Sequence, residues 1–438
     1  MNLHPDVNRM TLCMFMGATG YHSASWRLPD SNPSAGTDPS HFAELARLAE
    51  SGGFDAVFFA DSMALWSDLR ERPAGVIEPS VLAAAAIAAT RHIGVILTFS
   101  TTFNEPYNVA RKLTSLDHLS GGRIGWNIVT SATDEAARNF GLDNIPAHGE
   151  RYRRGSEFVD VCIKLWESWD AGAIIGDRSG WWGDPSKVRP IHHNGEFFSV
   201  RGPLDVPPSP QRVPLLVQAG SSPEGKSLAA ATADIVFTVQ STFDAATSFR
   251  AEVQDLARIA GRLFPTRVLP GIIPVIRDTD DEAHDYLARL DDMLDQSDGV
   301  RQLERSLGRP LGSLRLEDRF DADLPAPEEI VGNQTYYRVI KEMADARRYT
   351  VRDVVRRMST SRGHRLVVGS PETVAGAMCE WVDGGAADGY VVMPAAIPSD
   401  LETFVDKVVP LLRASGHLRY SPDDRPLASR YRTQAVSR

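Results

Sequence analysis

The sequence predicts an α/β protein, a closed (β/α)8 barrel of the TIM type, and three observations carry that reading. Eight short apolar runs alternate with segments of helical periodicity. The runs are almost continuously apolar, as strands of a parallel sheet covered on both faces must be. The length, 438 residues with 42% hydrophobic and 24% charged, suits one such barrel with long insertions. Eight such units suggest a closed barrel rather than an open doubly wound sheet.

The elements follow in order. Residues 11–16 form a first apolar run, and Phe42, Leu45, Ala46 and Ala49 mark a helix face with Asp38 or Ser40 near its start. Residues 54–60 read as a buried strand ending at Asp61, then 81–90 as an Ala-rich helix. A third strand, 93–99, ends in Ser100-Thr101-Thr102; Val109, Leu113 and Leu116 define the next helix, closed by Gly121-Gly122. Residues 123–130 are the fourth strand, with Ile124, Trp126, Ile128 and Val129 favouring extended backbone, and polarity takes over abruptly at Thr130-Ser131. Phe158, Cys162, Leu165, Trp166 and Trp169 give a helix face on which Cys162 packs. Strands follow at 214–218, 235–239 and 268–276, with helices at 222–232 and near 243–263. Val374, Met378, Trp381 and Val382 form a helix, 389–393 the eighth strand, and Leu401, Phe404, Val405, Val408 and Leu412 the last helix.

Residues 62–78, 170–212 and 277–369 break the alternation and are rich in Pro, Gly, Asp and Arg. They are expected as insertions within a single domain spanning 1–438, forming pocket walls and a lid over the carboxyl ends of the strands. The net charge of −10, from 57 acidic against 47 basic residues, excludes nucleic acid and anionic membrane as main partners. The N-terminus lacks a signal-peptide core and no apolar run spans a bilayer. Cys13, Cys162 and Cys379 are too few and too scattered for disulfides or a metal site, which fits a reducing cytoplasm.

Candidate chemistry collects at strand ends and helix starts, where α/β folds place ligands. Asp61, Thr98 and Ser100 each close an apolar strand, and Asn127 lies near the end of the fourth. In Gln218-Ala219-Gly220-Ser221-Ser222-Pro223 a strand runs into a helix with Ser222 as N-cap and Pro223 as first residue. Free N–H groups and the positive helix end meet there, the makings of a phosphate cradle, although the same residues serve plain capping. His148 and Tyr152, four apart, share a face if a helix has begun between them, and offer an imidazole and a phenol to one ligand; a helix start with a solvated histidine is the other reading. No Gly-x-Gly-x-x-Gly, Walker lysine loop, Gly-x-Ser-x-Gly elbow or His-Glu-x-x-His occurs. His192-His193 has no metal-type companions and reads as surface, so no metal is expected.

GGRIGWNIVTS, ARNFG, HGERY, DPSKVRPIHHNGEFFSVRGPL, PLLVQAGSSPEG and GGAADGYVVMPAAIP, in this order across residues 14–420, resemble the luciferase-like flavin monooxygenases, in particular the group of nitrilotriacetate, dibenzothiophene-sulfone and long-chain alkane monooxygenases. The resemblance implies a (β/α)8 barrel binding reduced FMN supplied by a separate NAD(P)H:FMN reductase. It implies that O2 reacts with the flavin and that a flavin hydroperoxide oxygenates a small organic substrate. It implies a homodimer or homotetramer. Carried over position by position, it places FMN contacts on Asp61, Thr98, Asn127, His148, Tyr152, Gly220, Ser221 and Ser222. Where some relatives carry Cys or His after the first strand this chain has Gly17 and Gly20, with Tyr21 and His22 displaced from those positions. RGHRLVVGSPE resembles the nitrilotriacetate-type members and makes His364 the candidate catalytic residue, with a surface loop histidine as the alternative. The run of Arg347, Arg348, Arg352, Arg356, Arg357, Arg362 and Arg365 reads as a solvated helix face or as a cationic pocket; Met63, Leu65 and Trp66 suggest an apolar wall beside the flavin. A deazaflavin-dependent oxidoreductase and a non-catalytic flavin-binding barrel are the alternative functions.

Overall fold

The computed structural model describes residues 9–65, 69, 73–320, 323–326, 329 and 334–432. All eight expected strands are present: β1 (Thr11–Phe15), β2 (Ala56–Phe59), β3 (Gly94–Ser100), β4 (Ile124–Val129), β5 (Leu215–Gln218), β6 (Ile235–Thr238), β7 (Arg267–Ile276) and, after an extra strand β8 (Arg365–Gly369), β9 (Gly389–Val392). Every pairing among them is parallel, and β9 hydrogen-bonds both β7 and β1, which closes the barrel. Strand residues alternate between two clusters. Cys13, Phe58, Ile96, Val217 and Val391 belong to one, and Leu12, Val57, Leu97 and Val392 to the other. The period of two sends the first set into the barrel and the second under the helices.

The ninth strand departs from expectation. β7 is ten residues long, twice most of its neighbours; its first half pairs with β6 and its second half with β8. RLVVG was assigned to the third insertion because its polar surroundings mask it, but the overhang of β7 supplies an unpaired edge that it satisfies.

The three insertions separate by where they leave the barrel. Residues 62–78 and 277–364 follow strands, so they emerge at the carboxyl rim. Residues 170–212 follow the helix His148–Trp166, which runs back toward the amino ends. Gln211 accordingly bonds Asp117 and the Ile124 carbonyl at the start of β4, and no residue of this stretch lines a cavity at the carboxyl rim. The expectation that it walls the pocket is therefore corrected: a connection leaving a helix belongs to the opposite face from one leaving a strand. The 277–364 insertion has a hydrophobic cluster of its own, built on Leu303, Phe320, Tyr337, Ile340 and Val354.

Local signals held where backbone chemistry is decisive. Asp38 caps the helix Pro39–Ser51 through Ser40 N at 2.9 Å, and Gly121 ends Pro106–Ser120 at φ 67°. Cys162 is buried, its thiol on the Pro106 carbonyl. His193 is not a surface residue: its Nε2 lies 2.9 Å from Glu157 Oε1 and ties a small hairpin to the helix, while His192 is exposed. No cluster of potential metal ligands occurs, and no helix is long and apolar enough to cross a membrane, among the described residues.

Arg123, at the head of β4, is buried and donates to five oxygens: Ser120 O, Thr90 Oγ1, Thr90 O, Ile87 O and Ile93 O. It caps the carbonyl end of the helix Pro79–Ala89 from the neighbouring βα unit. Arg123→Leu leaves these acceptors unpaired at roughly 1–3 kcal/mol each before relaxation, so chemical denaturation should show a loss of about 3 kcal/mol or more. A loss below 1 kcal/mol would mean that water replaces the guanidinium.

Candidate active site

Two cavities share a wall at the carboxyl rim. The smaller, about 340 Å³, lies between the ends of β4 and β5 and the start of His148–Trp166. The larger, about 500 Å³, opens among the loop after β1, residues 73–76 and the 277–364 insertion. Asp61, Thr98, Val129 and Ala219 line both. The structure thus brings all eight expected cofactor contacts to these two adjoining cavities, with Asn127 on the side of the larger and His148, Tyr152, Gly220, Ser221 and Ser222 in the smaller.

The shared wall is built from strand ends. Thr98 Oγ1 donates to Phe59 O at 2.9 Å, and Asn127 Nδ2 donates to Thr98 Oγ1 at 2.9 Å. Because the threonine hydrogen is already committed, the asparagine must turn its NH2 to it. Its Oδ1 is then left buried without a partner, on a residue only 3% exposed. A buried orphan acceptor costs free energy unless a ligand donor meets it. Asp61 has its pKa raised, mainly by burial and further by Glu78, against a bond from Ser62 N that lowers it.

The smaller cavity is arranged for an anion. Ser222 caps the helix Pro223–Thr232 by accepting from Gly225 N at 3.1 Å. A Cβ on Gly225 would lie 3.0 Å from both Gly220 Cα and the Tyr152 hydroxyl, so glycine at 225 permits the phenol and the turn to approach. The His148 and Tyr152 rings lie 4.8 Å apart, on the shared face foreseen from their spacing, and His148 Nδ1 is 3.5 Å from Glu224 Oε2. Burial, with Arg151 adding to it, lowers the His148 pKa against the opposing pull of Glu224.

Arg151 was not foreseen. It is 6% exposed, donates Nη1 to Ser131 O, keeps Nε buried and unpaired, and has no carboxylate within ion-pair distance among the described residues. Ser131 adopts φ 51°, which turns the end of β4 into this contact. In HGERY the arginine looks like one more polar residue of a helix start; only its burial sets it apart.

In the larger cavity His364 is 3% exposed, its ring stacked on Phe237 at 5.4 Å and edge-on to Tyr21 at 5.7 Å. It is thus no surface-loop residue. Burial, aided by the Arg362 charge, drops its pKa to about 3, so the ring is neutral. Tyr21 and His22 both line this cavity, while His22 also bonds Asp291 of the insertion at 3.1 Å. Met63 lines the smaller cavity, but Leu65 is 62% exposed and forms no wall; Trp66 lies outside the described residues. Of the seven arginines at the end of the insertion, only Arg362 lines a cavity described here.

The sequence model of the luciferase-like monooxygenases matches residues 19–388. The chain belongs to that family. N-acetyl-S-(2-succino)cysteine monooxygenase of Bacillus subtilis (strain 168) is 39% identical over 94% of this chain and 93% of its own length. Nitrilotriacetate monooxygenase component A of Aminobacter aminovorans matches with the same identity and coverage. Among solved structures, a riboflavin lyase with modified FMN and riboflavin superposes with a TM-score of 0.84 at 29% identity, over 97% of this chain and 95% of that one. The protein is a flavin-dependent monooxygenase, and the adjoining cavities at its barrel mouth are its candidate active site.

The neutral histidine of this monooxygenase has a consequence for stability. Unfolded, His364 takes up a proton near pH 6.5; folded, only near pH 3. The unfolded state therefore binds more protons across that window. Stability is unaffected above it and falls as pH drops through it, by up to about 1.4 kcal/mol per pH unit. Urea denaturation of His364→Phe at pH 4.5, 5.5 and 7.5 should show a correspondingly shallower acid loss than wild type; parallel slopes would refute the assignment.

Proposed function

We propose that this monooxygenase is the oxygenase component of a two-component system. It takes reduced FMN from a separate NAD(P)H:FMN reductase and uses O2 to oxygenate a small organic substrate. The observation that carries the reading is the buried, acid-free Arg151 lining the same cavity as the helix start at Ser221-Ser222, next to the cavity at the barrel mouth. A guanidinium, hydroxyls and a helix N-terminus suit a phosphate. The orphan Asn127 Oδ1 suits an N–H of a flavin ring. The riboflavin lyase carries an FMN derivative in the same fold, the name of the nitrilotriacetate relative implies a further component, and no nicotinamide fingerprint occurs in this chain.

In this reading Arg151, Tyr152, Gly220, Ser221 and Ser222 hold the phosphate, with His148 beside them, and Asp61, Thr98 and Asn127 orient the ring. The cofactor, once bound, supplies the oxygen activation. The chain's part is to position it and to exclude water, with the 277–364 insertion as lid contributing Tyr336 and Arg362 to the mouth. His364, neutral and buried at this mouth, donates or accepts a hydrogen bond without bringing charge.

Phosphate recognition is separable from ring recognition by titrating the apoprotein with FMN and with riboflavin. Arg151→Gln and Ser222→Asp should each weaken FMN roughly 10- to 100-fold or more, the worth of a charged hydrogen bond, and leave riboflavin affinity nearly unchanged. Equal losses for both ligands would remove the phosphate from this cavity. Reductase, NADH, FMN and 18O2 together should place one labelled oxygen atom in the product; labelled peroxide alone would refute oxygenation.

A second copy of the chain is the proposed occupant of the patch at Trp181 and Trp182, which are 65% and 62% exposed beside exposed Ile174 and Ile175. Monomers seldom leave so much contiguous apolar surface in water. Light scattering of Trp181→Glu/Trp182→Glu should show a smaller particle than wild type; an unchanged mass would exclude this patch as the contact.

A further inference from the structure

We infer that the substrate carries a carboxylate and that Arg362 is the specificity-determining residue that holds it. The inference rests on the functional reading above and takes the larger cavity, beside Thr98 and Asn127, as the place where substrate meets the flavin.

Arg362 stands between the helix Val351–Thr360 and β8, at the point where the insertion returns to the barrel. Its backbone is left-handed, φ 47°, a conformation that side chains other than Gly, Asn and Asp seldom adopt. Its guanidinium sits 4.4 Å from the centre of the Tyr21 ring, donates Nη1 to Tyr21 O at 3.0 Å and reaches Ser23 Oγ at 3.4 Å. These partners fix the group in position, and all of them are neutral. Among the described residues no carboxylate lies within ion-pair distance of it.

Three of its neighbours in the same stretch are satisfied elsewhere. Arg352 pairs with Glu317 and Arg356 with Asp292 on the insertion itself, and Arg365 lies over Trp381. Arg362 is the cation left over at the mouth. Asp61 is the only acidic residue among those described that line the larger cavity, and it belongs to the wall shared with the smaller one. The rest of the lining is uncharged, small residues interspersed with the aromatic rings of Phe15, Phe58, Phe237 and Trp26, whose buried indole Nε1 has no hydrogen-bond partner.

The energetics discriminate between substrate classes. A hydrocarbon or a neutral sulfone filling this space would displace water from a guanidinium and return nothing, a desolvation cost of several kcal/mol for an ion. A carboxylate replaces that water with charge-assisted hydrogen bonds in the bidentate geometry a guanidinium favours. The aromatic walls then hold the uncharged part of the molecule.

The test uses the FMN-loaded full chain with nitrilotriacetate and N-acetyl-S-(2-succino)cysteine as carboxylate probes and their methyl esters as neutral ones. Calorimetry should show the acids binding at least about 100-fold more tightly than their esters. The difference should shrink with added salt, and in turnover assays with the reductase it should appear in KM. Arg362→Gln should weaken the acids roughly 10- to 100-fold and abolish the salt dependence, Arg362→Lys should restore part of the affinity, and the Kd for FMN should be the same in all three proteins. Equal binding of acids and esters, no binding of either acid, or an Arg362→Gln protein that binds acids like wild type overturns the inference while FMN binding stands. Failure to bind FMN at all would instead strike the functional reading beneath it, and with it this inference.

Discussion

One hydrogen-bond relay crosses three strands at the carboxyl rim: Asn127 Nδ2 to Thr98 Oγ1, and Thr98 Oγ1 to Phe59 O. Thr98 and Asn127 are register partners on β3 and β4, so the relay is possible only in the pairing this barrel adopts. A slip of one strand by one residue would turn its side chain to the other face of the sheet and part the pair. The relay also decides which end of the amide faces the cavity, since each donor in it has a single acceptor. The polarity of this strand wall is therefore fixed by backbone register rather than by any loop.

Charge is distributed on the same economical plan. The chain is acidic overall, at −10, yet its two adjoining cavities carry guanidinium groups, Arg151 in one and Arg362 in the other. Between them the histidine at the mouth is neutral and the one carboxylate of the shared wall is partly desolvated. At physiological salt the charges of the outer surface are screened within about 8 Å. What an anion meets on entering is thus set by these few side chains, not by the net charge.

Much of this was legible in the amino-acid order, and the exceptions have definite causes. β2, β3 and β4 were readable because strands buried on both faces are almost continuously apolar, and their ends were readable because polarity returns abruptly at Asp61, Ser100 and Thr130. Ser222 and Pro223 announced a helix start by chemistry that needs no tertiary context. β8 was hidden because a short strand starting with Arg365 resembles the insertion before it, and what makes it a strand is the overhang of β7, ninety residues earlier. Arg151 was hidden, and Arg362 could not be told from the other six arginines of its run, for a related reason: an arginine is an ordinary surface residue until the fold shows that it is buried, or that no acid faces it. The placement of 170–212 was misjudged because length and composition say nothing about which face a connection occupies, whereas the element it leaves does.

The separate hydrophobic cluster of the 277–364 insertion has an implication for how such enzymes diversify. Its side chains pack chiefly on one another, so substitutions there draw on a local reserve of stability and leave the barrel's interior layers intact. The segment that supplies Tyr336 and Arg362 to the mouth can be rebuilt in sequence while the wall formed by the strand ends is left unchanged. Selection can therefore exchange one substrate for another in this architecture by small, separately tolerated steps, without passing through a protein that no longer folds.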